Sequence, residues 1–209
     1  MKKIVFLILF IVNISTNAQS LNDVLVNKNY TIDFVGIDFS NAKLVGTSHD
    51  FKNPKRIITD YFSRWNAMFY IDADKYNLNK YFHKKKINLI TETVEKINNN
   101  IDESTLIVNT TPKRLNNTTI QLMIDKYEIS SDNKISMVFI VNSFHKLRRQ
   151  AIVDVVYFNN QTKKIIFKTT MIEEPGGFGL KNFWEGAFLN IFKKIKKTEY
   201  KKWKKQYKN

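Results

Sequence analysis

The sequence predicts a single α+β domain, with a mainly antiparallel or mixed sheet and helices packed on one of its faces. Three observations predict it. Residues 30–40, YTIDFVGIDFS, alternate apolar and polar side chains and are rich in β-formers, as a half-buried strand is. Residues 119–171 carry four further β-like runs joined by short polar turns, the pattern of an antiparallel meander. Apolar residues recur at helical spacing after Pro54 and again after a glycine cluster that ends near residue 180. Strand and helix first, then strands, then a helix is an α+β order.

Taken in order, residues 30–40 form the first strand, and a short one is expected at 43–45. Pro54 suits the first turn of a helix, where its missing N–H costs nothing. Ile57, Ile58, Tyr61, Phe62, Trp65 and Met68 then follow at helical spacing, so a helix is expected over 54–69. A short helix at 75–82, a strand at 86–90 and a short helix at 91–99 complete the first half. After Pro112 the expected strands are 119–129, 134–144, 151–159 and 163–171. A final helix spans 180–200, its stripe built from Phe183, Trp184, Ala187, Phe188, Ile191, Phe192 and Ile195. Helices 54–69 and 180–200 are expected to cover the same face of the sheet.

The chain begins MKKIVFLILFIVNISTNAQS: two lysines, an unbroken apolar run over 4–12, then small polar residues. This reads as a signal peptide at 1–18, cleaved after Ala18, leaving a single domain at 19–209 with a basic C-terminal helix. The apolar run is shorter than the ~20 residues a spanning helix needs, and no later run is longer, so no transmembrane segment is expected after cleavage. There is no cysteine, which removes disulfides, thiolate metal sites and lipid attachment through a thiol. The expected location is therefore exported, in the periplasm or associated with the envelope.

Charge is distributed unevenly. The whole chain carries +15, and its last seventeen residues, KKIKKTEYKKWKKQYKN, hold nine lysines against one glutamate. Such asymmetry speaks of partners and not of fold. Interleaved lysines and aromatics suit an anionic membrane surface, where rings sit at headgroup level. They also suit nucleic acid, a partner that export excludes. The candidate binding residues are Lys201, Lys202, Trp203, Lys204, Lys205 and Tyr207. The competing structural reading has the tail aromatics completing the core while lysine stems cover its edge. On the binding reading, deletion of 198–209 is expected to leave the fold intact.

The stretch EEPGGFGLKNFW, 173–184, joins a strand to a helix with glycines, as phosphate cradles do. It matches neither G-x-G-x-x-G nor G-x-x-x-x-G-K-[ST]. Gly176, Gly177 and Gly179 are therefore expected to form a structural turn, supplying positive φ and close backbone approach. No cofactor and no metal are expected: His49, His83 and His145 are scattered, and the acidic run from Asp72 lacks the glycine and glutamate of a calcium loop. Ser143, His145 and Asp154 could be assembled on paper into a nucleophile triad, as residues of any chain this size can, but they lack the local context of one. Paired carboxylates offer a hydrolase reading, with Asp38 or Glu173 acting on an envelope polymer. Adjacent strand residues such as Glu173 and Glu174 point to opposite faces, as do Asp33 and Asp38.

Three segments carry a resemblance: YTIDFVGIDFSNAKLVG at 30–46, YFSRWNAMFYIDADKYNLNKYF at 61–82 and GGFGLKNFWEGAF at 176–188. With Tyr200 and Trp203, these segments resemble an uncharacterised family of small exported proteins, mostly from the Bacteroidetes group of Gram-negative bacteria. That resemblance implies an envelope location and no enzymatic activity. At fold level the element order is similar to envelope α/β modules such as the lipoprotein activators of penicillin-binding proteins and the periplasmic domain of the curli secretion channel. Those begin at a lipidated cysteine, which this chain lacks. A non-enzymatic envelope module that binds a protein or an anionic surface is the expected function.

Overall fold

The computed structural model describes residues 15–207, with side-chain surroundings from Leu21 onward. Residues 1–14, with the apolar run of the expected signal peptide, lie outside the described residues. The first helix, α1 (Ser15–Val26), contains the expected cleavage point after Ala18. Strands β1 (Ile32–Asp38) and β2 (Lys43–Val45) follow. A helix then starts at α2 (Pro54–Arg56), widens to π geometry over Ile57–Phe62 and continues as α3 (Ser63–Ile71). Its start is capped by the Asn53 side chain, which accepts from the Arg56 N–H at 3.0 Å. Next come α4 (Leu78–Tyr81), β3 (Ile87–Leu89), α5 (Glu92–Asn98), β4 (Ile107–Val108) and α6 (Asn117–Ile124). The chain ends with β5 (Ile135–His145), β6 (Gln150–Asn159), β7 (Ile165–Glu173), α7 (Gly179–Lys194), a π segment (Ile195–Glu199) and α8 (Tyr200–Gln206).

The seven strands form one sheet organised around β5. One edge of β5 takes β1 along Ser136–Ile140 and β2 along Ser143–His145, both parallel. β3 continues in parallel from β1, and β4 from β2. The other edge of β5 carries the antiparallel hairpins β5–β6 and β6–β7. Of the expected mainly antiparallel or mixed sheet, the mixed form is the one observed, with more of its pairings parallel than antiparallel. The meander has three strands; of the four that precede it, β1 and β2 pair in parallel with its first member, and β3 and β4 extend the sheet from them.

A second correction concerns 119–129, which is not a strand. The Asn116 side chain caps α6 by accepting from the Thr119 N–H at 2.8 Å. Ile120, Met123 and Ile124, at i, i+3 and i+4, then bury one helical face. Its β-branched residues looked extended; tertiary packing overrode that weak preference.

The third correction is that helices cover both faces. On one side, α1, α3, α7 and α8 bury Phe34, Phe39, Phe139, Phe144, Tyr157 and Phe167 of the sheet. On the other, α5 and α6 pack on Val35, Val138, Ile140, Val156 and Phe158. Strands β1, β5 and β6 therefore lack an exposed face: β5 and β6 carry long apolar runs, and in β1 the polar members of the alternation, Asp33 and Asp38, are buried as well.

Beyond Phe34, no strand among the described residues lies on the outer edge of β1, and two helices supply the missing partners with asparagines. Asn66 of α3 accepts from the Ile37 N–H at 2.7 Å and donates to the Ile37 carbonyl at 3.0 Å. Asn98 of α5 donates to the same carbonyl at 2.9 Å and accepts from the Phe39 N–H at 2.8 Å. Buried backbone groups are thereby satisfied where the sheet stops.

Helix α1 is held by a buried lysine. Lys84 is 6% exposed, and its ammonium donates to the Val24 carbonyl and, at 2.7 Å, to the Asn27 carbonyl. Burial, helped by the Lys204 charge, lowers its pKa from 10.5 to about 8. Between these values the unfolded chain keeps a proton that the folded chain has released, so raising the pH favours folding. Stability is expected to rise from pH 8 to about pH 9; above that, ionisation of tyrosines in the unfolded chain opposes it, because burial raises Tyr76, Tyr127, Tyr157 and Tyr200 in the folded one. Lys84→Met is expected to remove that rise. Urea melts of both proteins across the window read the effect; identical pH slopes would rule out the lysine as its source.

Candidate functional site

The three residues that could form a nucleophile triad on paper are not assembled as one. His145 Nδ1 accepts from the Arg148 backbone N–H at 3.3 Å, and burial followed by the Arg148 charge lowers the imidazole pKa. Asp154 accepts from Asn142 Nδ2 at 2.8 Å and from the Thr170 hydroxyl at 2.5 Å. It faces Ile140 across the β5–β6 ladder, while Ser143 faces Ile152. No hydrogen bond joins Ser143, His145 and Asp154. Among the described residues no group of three His, Asp or Glu side chains is placed to hold a metal. His83 takes a structural position, with a positive φ of 52° and its ring 5.0 Å from that of Tyr200.

The carboxylates are equally committed. Asp38 is fully buried; it accepts from the Tyr127 hydroxyl at 2.5 Å and the Ser40 N–H at 2.7 Å. Desolvation raises its pKa against the opposing pull of those hydrogen bonds. Asp33, also fully buried, is caged by the side-chain amides of Asn88, Asn133 and Asn160 at 3.1, 2.6 and 3.3 Å. Glu173 forms an ion pair with Lys194, tying the end of β7 to α7. Each of these three acids joins elements, and Asp33 and Asp38 are sealed in the core, where no glycosidic bond could reach them.

The glycine turn is a close-packed joint. From Glu173 the chain runs antiparallel along the first half of α7: the Glu174 carbonyl accepts from Asn190 at 3.0 Å, and the Gly176 N–H donates to the Phe183 carbonyl at 2.9 Å. Gly177 has φ +128°, and a Cβ there would lie 2.8 Å from the Asn182 carbonyl oxygen. Beside the turn, Lys75, Tyr76, Asn182, Glu185 and Leu189 border a cleft of about 180 Å³. Glu185 is the polar residue that sequence reasoning missed. Its carboxylate accepts from the Tyr76 hydroxyl at 3.0 Å and pairs with Lys181 at 3.1 Å. A glutamate between Trp184 and Ala187 in an apolar helix stripe was the available signal. With its charge balanced by Lys181, it pins the 72–77 loop to α7, and the small cleft is the gap that remains.

The C-terminal residues divide by face. Trp203 is 4% exposed, its ring 5.2 Å from Phe167 and 6.0 Å from Tyr200, and Tyr207 lies 5.8 Å from Phe167. These rings complete the core beneath α8. Lys202 pairs with Glu199 at 2.7 Å, and Lys204 is half-buried near Lys84. Lys201 and Lys205 are exposed and continue a row that starts with Lys193 and Lys197. These four lysines recur every fourth residue along about 18 Å of helix at 1.5 Å per residue. Among the described residues none of the four takes part in an ion pair.

No protein-family model matches the chain, and no curated protein matches it. Among the described residues no helix is long and apolar enough to cross a membrane. The geometry itself therefore defines the candidate site, a rigid basic helix face whose chemistry is electrostatic.

Proposed function

We propose that this protein is an exported, non-enzymatic module that docks on a polyanionic surface of the cell envelope. The observation that carries the reading is the lysine row Lys193, Lys197, Lys201 and Lys205. Like charges four residues apart destabilise a helix by a few tenths of a kcal/mol per pair. The row therefore has an electrostatic cost that an anionic partner would relieve. It is also presented rigidly, because Ile195, Tyr200 and Trp203 bury the opposite side of the same helix. Lys202 and Lys204 flank the row, while Trp203 and Tyr207 support it from below. Ordering a flexible tail on binding would cost conformational entropy; a helix already packed has met that cost.

Replacing all four lysines with glutamine tests the reading. A lysine near an anionic surface contributes about 1 kcal/mol, so binding to anionic vesicles or an immobilised polyanion is expected to fall by roughly a hundredfold or more. Parent binding is expected to weaken as salt rises from 0.1 to 1 M, where the screening length drops from about 10 to about 3 Å. The melting temperature should hold or rise, because the repulsion is relieved. Unchanged binding in the variant, with the fold intact, rules out the lysine row.

A further inference from the structure

The far end of α7 carries a different surface. The β5–β6 turn, 146–149, and the glycine turn after β7 both project past the same end of the sheet, since Gln150 pairs with His145 and Ala151 with Glu173. They meet at Phe183 of α7, whose ring lies 4.1 Å from Lys146 Nζ and 5.4 Å from Arg149 Cζ. Each turn ends in an apolar side chain held out in solvent: Leu147 is 83% exposed and Phe178 is 96% exposed. They are the two most exposed large hydrophobic residues among those described. Gly177 and Gly179, both at positive φ, set the path of the chain on either side of Phe178.

The surroundings of these two tips are basic. Lys146, Arg148 and Arg149 flank Leu147, and none of the three forms an ion pair among the described residues. Asp50, an acid that feels the Lys146 charge, already accepts from the Thr47 N–H at 2.9 Å and the Thr47 hydroxyl at 2.8 Å. Apolar tips standing proud of a cationic collar complement a bilayer with anionic headgroups, where rings and aliphatic chains sink below the headgroups and the cations remain among them. A protein partner would be met better by a flat or concave patch with a buried centre than by two separate protrusions.

We infer that Leu147 and Phe178 are the membrane-entering points of this protein, inserting into an anionic lipid surface under the hold of Lys146, Arg148 and Arg149. The contact is independent of the lysine row, which lies toward the other end of the same helix, up to roughly 40 Å away.

The test uses sedimentation with vesicles and one fluorescent reporter. The double variant Leu147→Ser/Phe178→Ser is expected to bind phosphatidylcholine vesicles containing phosphatidylglycerol about tenfold or more weakly than the parent. Its melting curve should match, because both side chains contact solvent and not the core. Parent and variant are compared as the expected mature chain, 19–209, so the N-terminal apolar run takes no part in the binding. The variant Phe178→Trp reports insertion directly, because native Trp65, Trp184 and Trp203 are buried and give a constant background. Its emission is expected to shift to shorter wavelength with anionic vesicles and not with pure phosphatidylcholine. The shift should persist when Lys193, Lys197, Lys201 and Lys205 are replaced by glutamine, so failure of the row and failure of the tips read out separately. Sedimentation without a shift would place the bilayer contact elsewhere and overturn the inference. A parent protein that binds neither vesicle would assign the tips to a protein partner and overturn it as well.

Discussion

Gly186→Ala is expected to destabilise the protein by about 3 kcal/mol or more, although the same change in an exposed helix stabilises by up to about 1 kcal/mol. The sign reverses because α7 and the glycine turn touch backbone to backbone. A Cβ on Gly186 would lie 2.0 Å from the Gly176 carbonyl oxygen and 2.8 Å from the Gly176 nitrogen. Neither side can yield cheaply. The turn is fastened by the Gly176 N–H on the Phe183 carbonyl, and α7 by Trp184 stacked on Phe144 with centroids 4.4 Å apart. Gly176→Ala is the matched control. Its Cβ would meet nothing within 4 Å, and the effect is expected to stay within about 0.5 kcal/mol. Urea denaturation midpoints of the two variants give the comparison; equal midpoints would refute the close approach.

Trp203→Ala is expected to cost about 3–5 kcal/mol, the range for removing a large buried aromatic side chain. Its ring fills the space between Phe167 of β7 and Tyr200, beneath the helix that carries the lysines. The loss approaches the whole stability of a typical domain, about 5–15 kcal/mol. Deletion of 198–209 removes Tyr200 as well, and is expected to leave a chain without fixed tertiary packing. That corrects the expectation of a dispensable tail. Near-ultraviolet circular dichroism of the truncated protein reads it directly, and a native-like spectrum with a parent-like melt would restore the earlier view. Charge substitutions, not truncation, are therefore the way to examine binding by this helix.

Several elements were legible in residues alone because their cause is local. The Pro54 start needs only its own turn, and the apolar stripe from Phe183 to Ile195 has a period that solvent exposure imposes on any helix lying on a core. The alternation of YTIDFVGIDFS named a strand. The pairing of that strand was not legible. Direction and neighbour depend on where the chain returns, and the parallel contact of β1 with Ser136–Ile140 of β5 joins residues about a hundred positions apart. Residues 119–129 misled for the same reason, since Ile120, Met123 and Ile124 find their buried face only against Val138 and Phe158.

The candidate surfaces divide along the same line. Lysine excess at the C-terminus and glycines between a strand and a helix are written in composition and spacing. Which lysines face solvent together, and that Trp203 turns inward, follow from α8 lying on β7. The polar pin of Glu185 and Tyr76, and the placing of Leu147 and Phe178 at one end of the sheet, arise from segments brought together across the fold. Local chemistry and periodicity determine which segments are helices, strands and turns. The choice of neighbours belongs to the tertiary structure, because burial and hydrogen bonding between distant segments carry energies that no single segment contains.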